Sequence, residues 1–252
     1  MALAGGADWR LTVAIASAVA ALAGLLVLLT RLGPHHGTAA AFDPRAIFLA
    51  WTNRRVRLAY AGYLGHMWEL YAMWAWLAVA LAASYGATMA APAALALAKL
   101  TAFLAIGLGG LLCIVAGLVG DRIGKAETAA VAMAVSGTSA VLFAATFGGP
   151  VWLTFALALL WGASVVPDSA QFSALVADAA PAEVAGSLLA LQTALGFTLT
   201  FVTVQVFPLL AATFGWPAVL AGLAAGPALG IWAMLRLRRL NMGAQVSAKD
   251  TG

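Results

Sequence analysis

Seven stretches of this chain, 11–29, 58–83, 93–119, 127–147, 151–176, 185–211 and 216–236, are each apolar enough and long enough to cross a hydrocarbon core, which takes roughly 20 helical residues. Inside lipid every backbone N–H and C=O must be satisfied within the protein, so such runs fold as helices or as closed barrels, and runs of this length without period-two alternation are helices. A soluble domain is excluded: 64% of the 252 residues are hydrophobic, 9% are charged, and the mean hydropathy is +0.99. The expected fold class is an all-α integral membrane protein with seven transmembrane helices. Several spans exceed the bilayer thickness, so tilt is expected.

The net charge of +4 would suit a nucleic-acid partner, but the positions of the basic residues argue against one. Arg31, Arg45, Arg54, Arg55 and Arg57 follow the first span, Arg122 and Lys125 the third, and Arg236, Arg238, Arg239 and Lys249 the seventh. With alternating helices these 11 of the 13 Lys and Arg share one side, which the positive-inside rule makes cytoplasmic. The N-terminus is therefore expected outside and the C-terminus inside, in a bacterial cytoplasmic (inner) membrane, with the bilayer as the first partner. The first span, with a 19-residue apolar core, is read as retained rather than as a signal peptide. Between it and the second span, residues 31–57 form a polar linker. Within that linker a short interfacial helix from Ala46, with Ile47, Trp51 and Leu58 on one face, competes with a solvated loop.

Two polar stripes interrupt the apolar pattern. In the second span, helical spacing puts Gly62, Gly65, His66, Glu69, Ala72, Met73 and Trp76 on one face, with Tyr71 on another. A carboxylate at mid-helix costs about 2.5–3.5 kcal/mol on the insertion scale, so Glu69 is expected to face the bundle interior or a water-filled cavity. In the fifth span Trp161, Ser164, Asp168 and Gln171 stack on one face beside Pro167, which frees a backbone carbonyl. Asp168 is expected nearer the cytoplasmic end, where solvation competes with a pathway role. Lys99 in the third span invites an ion pair with Glu69; the alternative is an ammonium snorkelling to the outer interface. Gln192 in the sixth span is a candidate substrate contact, and an organic cation would suit Glu69 with the rings of Trp76 and Trp161. The fourth and seventh spans look like support, the latter carrying a ridge of Gly222, Gly226 and Gly230 with Pro227 as a kink.

No metal or cofactor is expected. His35 and His36 are adjacent and diverge, His66 with Glu69 lacks the repeated ligands of a di-metal bundle, and the lone Cys113 forms no internal disulfide. No H-E-x-x-H, G-x-S-x-G or P-loop occurs, so an enzyme is not expected.

The third span ends in Gly117, Asp121, Arg122, Gly124 and Lys125, a G-x-x-x-D-R-x-G-K pattern. It resembles the cytoplasmic loop signature of the major facilitator superfamily of secondary transporters, departing from it at Ala126, where a second basic residue is common. The resemblance extends along the chain. Residues 1–30 look like that family's sixth helix, 31–57 like its central linker, and 58–240 like its C-terminal six-helix half, a 3+3 inverted repeat, followed by a cytoplasmic tail, 241–252. It implies transport of a small solute, coupled to protons through Glu69 with His66 nearby, by a half that needs an N-terminal half or a second copy of itself. By the same likeness the second, third, fifth and sixth spans would line the cavity, in agreement with the candidate pathway residues read from the polar positions: His66, Glu69, Tyr71, Trp76, Lys99, Trp161, Ser164, Asp168, Gln171 and Gln192. The contrasting reading is a non-transporting scaffold or interaction subunit derived from a transporter half.

Overall fold

The computed structural model describes residues 9–30, 44 and 46–250, with the side chains of Trp9, Ala46, Ile47 and 244–250 outside the description. The linker at 31–43 with His35 and His36, together with Arg45 and the side chains of Ile47 and Lys249, therefore lies outside the described residues. Residues 1–40 and 41–252 are two compact units, each taken by itself. Among its described residues the first contains one apolar helix, α1 (Trp9–Val27).

The regular elements of the second unit's described residues are all α-helices: α2 (Ala46–Thr52), α3 (Arg54–Tyr85), α4 (Ala91–Ile123), α5 (Lys125–Ala145), α6 (Val151–Val165), α7 (Ser169–Ala179), α8 (Ala182–Phe214), α9 (Trp216–Gly222) and α10 (Ala225–Asp250). With α1, seven helical spans among the described residues are long and apolar enough to cross a membrane, as an integral membrane protein requires.

Two expected spans are broken. The fifth divides into α6 and α7 around Pro167, whose missing N–H and bulky ring end the α-helical ladder, and Ser169 restarts it through an N–H bond to Val166 O at 3.0 Å. The seventh divides at Leu223 and Ala224, where N–H groups bond three residues back instead of four, and Pro227 lies in the first turn of α10. α10 runs through position 240 to Asp250 without a break. The short helix at 46–52 forms, but Trp51 is exposed while Leu58 is buried, so the two do not share a face. α3 starts at Arg54, earlier than 58, because the Asn53 side chain accepts the N–H groups of Arg55 and Val56.

α3 is the hub, packing against α10, α4, α8, α7, α2 and α6. Glycine sets the closest approaches. A Cβ on Gly65 would meet the backbone oxygen of Gly226, and one on Gly162 of α6 would meet Ala105 of α4. The ridge on the last span thus serves packing within the unit at Gly226 and Gly230, while Gly222 has open space. Tryptophans on α3 close gaps left by helix interruptions. Pro208, inside α8, has no N–H for Val204 O, and Trp76 Nε1 donates there at 3.0 Å; Trp68 Nε1 donates at 3.3 Å to Gly222 O, where α9 ends.

Candidate functional site

Glu69 lies half-way along α3 and is 1% exposed. Trp161 of α6 donates its indole N–H to Glu69 Oε1 at 2.7 Å, and Ser136 of α5 donates its hydroxyl to Oε2 at 2.9 Å. Both carboxylate oxygens are thus occupied by donors from other helices. Lys99 does not take part: it is half-buried on α4 and makes no ion pair among the described residues. The expected Glu69–Lys99 pair is replaced by two neutral donors, which satisfy a buried carboxylate without burying a second charge.

One turn before Glu69, His66 faces the helix break. Its Nδ1 lies 2.9 Å from Asp168 Oδ1, and its Nε2 lies 2.8 Å from Ser169 Oγ, the first residue of α7. The Asp168 approach is a close charge contact rather than an aligned bond, since Oδ1 receives no well-directed N–H. Between Ser169 Oγ and His66 Nε2, which atom donates follows from the ring's tautomer. Asp168 is only 1% exposed, so the expected solvation from the cytoplasmic end does not occur. Phe172, with its ring centroid 5.6 Å from that of His66, and Tyr63, at 6.5 Å, close the site on the α7 and α8 side.

The remaining expected residues disperse. Ser164 bonds to Leu160 O of its own helix and lines an apolar cleft of about 300 Å³ with Val115, Val135 and Pro167. A second apolar cleft, about 240 Å³, lies between α8 and α9 beside Trp68, and neither cleft is lined by Glu69, His66 or Asp168. Tyr71 packs edge-on to Trp74 at 5.4 Å and beside Phe197 at 5.5 Å. Trp161 offers Glu69 its N–H edge, not its ring face, and Trp76 is committed to Val204, so these groups do not form an aromatic cage for a cation. Gln171 donates to Ala116 O at 3.3 Å. Gln192 is buried, and neither its Oε1 nor its Nε2 has a partner among the described residues.

At the loop after α4 the expected roles redistribute. Gly124, at φ +107°, makes the turn into α5, a conformation open to glycine at little cost. Gly117 sits mid-helix with open space; the close contact falls to Gly120, against the Gln171 side chain. Asp121 and Arg122 are exposed in the last turn of α4 and make no ion pair among the described residues, while Lys125 pairs with Asp178 of α7 at 2.5 Å. Arg238 of α10 pairs with Glu127 at 3.1 Å, tying the same end together.

Ser136 and Ser169 are the functional groups that sequence reasoning missed. Ser136 left one signal, a hydroxyl near mid-depth in a helix whose ionisable residues, Lys125 and Glu127, are confined to its first turn. The chain matches no protein-family model, no curated protein and no solved structure, so the two buried networks stand on their own geometry.

Proposed function

We propose that this chain is the C-terminal half of a secondary transporter of the major facilitator type, moving a small solute coupled to protons and completed by a second membrane half or a second copy of itself. The observation that carries the reading is the placement of two buried carboxylates, Glu69 on α3 and Asp168 at the α6–α7 break, with His66 between them on the face of α3. Ionisable groups at this depth are costly and are retained in membranes chiefly along ion and proton paths; broken helices mark binding positions in transporters.

The packing pattern supports the two-triplet reading. α3, first of one triplet, packs on α8 and α10 of the other, and α6, first of the second, packs on α4 and α5. Each triplet thus offers its first helix to the second and third helices of its counterpart, as an inverted repeat would. The G-x-x-x-D-R-x-G-K loop adds the resemblance of sequence.

Ser136 gives Glu69 a way to change protonation state without stranding a polar atom. Its hydroxyl has a second acceptor, Met133 O at 3.3 Å. With Glu69 ionised, Ser136 donates to Oε2; with Glu69 neutral, the carboxyl donates to Ser136 Oγ and the serine proton turns to Met133 O. His66, one turn away and bonded to Ser169, is the neighbouring proton acceptor.

A second reading is favoured by the same completeness: a network with every carboxylate oxygen of Glu69 satisfied also suits a rigid scaffold subunit. Proton movement separates the two. The chain, purified with any membrane polypeptide that accompanies it, is placed in vesicles containing the pH dye pyranine, and amino acids, sugars, organic cations and inorganic anions are added in turn. Transport gives a change in luminal pH with one class. No change with any class, together with a stable complex with a second polypeptide, would favour the scaffold.

A further inference from the structure

We infer that the start of α3 is a binding site for the phosphate headgroup of an anionic phospholipid, formed by Arg54, Arg55 and Arg57 with Trp51 and Phe48. Three arginines in the first turn of a long helix run against its dipole, whose positive end is there, and the turn holds no acidic residue to offset them. Asn53 already caps the helix, so the arginines are not needed as caps.

Of the other basic residues at this end, Lys125 pairs with Asp178, Arg238 with Glu127, and Arg236 lies over the ring of Trp232 at 5.0 Å, while Arg122 and Arg239 make no ion pair among the described residues but stand apart from one another on α4 and α10, not in one helical turn. Arg54, Arg55 and Arg57 are exposed and make no ion pair among the described residues, including with Glu183 in the first turn of the adjoining α8. Uncompensated guanidinium groups beside the positive end of a helix ask for an anion, and the planar fork suits phosphate oxygens.

The aromatic groups point to a lipid as the source of that phosphate. Trp51 is 59% and Phe48 73% exposed on α2, beside the arginines, where large rings would otherwise face water or headgroups. Arg57 Nη1 donates to Trp51 O at 2.8 Å, tying the end of α2, which carries Trp51 and Phe48, to the first turn of α3, which carries the arginines. Aromatic rings at headgroup depth next to arginines are the arrangement by which interfacial segments hold anionic lipid. This inference does not depend on transport.

The test is retention of phosphatidylglycerol by the full chain in detergent, measured by native mass spectrometry against phosphatidylcholine, with inorganic phosphate as competitor. Arg54→Gln/Arg55→Gln leaves the Arg57 contact intact, and Arg122→Gln/Arg239→Gln is the control of equal charge. Expected are preferential retention of phosphatidylglycerol by the parent chain, about tenfold weaker retention in the first variant, and little change in the control, with inorganic phosphate displacing little lipid. Equal retention of both lipids, equal loss in both variants, or full displacement by inorganic phosphate would each overturn the inference. A melting temperature of Arg54→Gln/Arg55→Gln in neutral detergent equal to that of the parent shows that loss of lipid is not loss of fold.

Discussion

Trp161 Nε1 and Glu69 Oε1 meet at 2.7 Å between α6 and α3, with both side chains shut away from solvent. The bond joins the two helices that open the proposed triplets, and it takes up the charge that the sequence alone would have given to a lysine.

Trp161→Phe removes that donor while keeping most of the ring. A buried acceptor left unpaired costs about 1–3 kcal/mol, with a carboxylate at the upper end, so the variant is expected to unfold at clearly lower temperature in detergent. In a Glu69→Gln background the same change should cost less, because an amide oxygen is cheaper to strand than a carboxylate oxygen. Equal losses in both backgrounds would show that the indole acts by packing against Phe143 and not through its N–H.

Trp76→Phe is expected to cost about 1 kcal/mol of stability through Val204 O, the carbonyl that Pro208 leaves free. Restoring an N–H with Pro208→Ala should shrink that cost. A double-mutant cycle by thermal unfolding measures the coupling, and additive effects would separate the tryptophan from the proline.

Gly65→Ala places a methyl group against the Gly226 backbone and is expected to destabilise by about 1–3 kcal/mol, whereas Gly107→Ala, with open space around it, should be neutral or slightly stabilising. Chemical denaturation of the two variants side by side is the check. Equal behaviour would mean that the α3–α10 contact yields easily.

The orientation expected from the basic residues is open to labelling. In a Cys113→Ala background, Thr88→Cys in the exposed turn after α3 should react with an impermeant reagent in intact cells, and Asp121→Cys only after permeabilisation. The reverse pattern would invert the chain in the membrane.

The spans were legible in the sequence because hydropathy over 20 residues is a strong, local signal, and Glu69 was legible because a carboxylate in such a span has to be buried. Its partners were legible only in part: Trp161 stood in the second polar stripe, Ser136 in neither. Lys99 looked suitable by charge and depth but makes no ion pair among the described residues, and a serine carries no charge to mark it as a partner. The proline breaks illustrate the same limit. Pro167 announced a freed carbonyl, while the resulting N-terminus at Ser169 and its approach to His66 depend on how α7 packs against α3.

The most direct test of proton coupling through Glu69 is accumulation in proteoliposomes, with and without an imposed proton gradient, of the solute class that the pyranine assay identifies. Glu69→Gln keeps the acceptor for Trp161 and fixes the side chain in a neutral form. Ser136→Ala removes the hydroxyl that changes partner with protonation, leaving Glu69 itself in place. The expected result is that wild type accumulates solute down the proton gradient, that Glu69→Gln inserts normally but loses gradient-driven accumulation, and that Ser136→Ala retains a reduced part of it. Gradient-driven accumulation in Glu69→Gln equal to wild type would contradict the account.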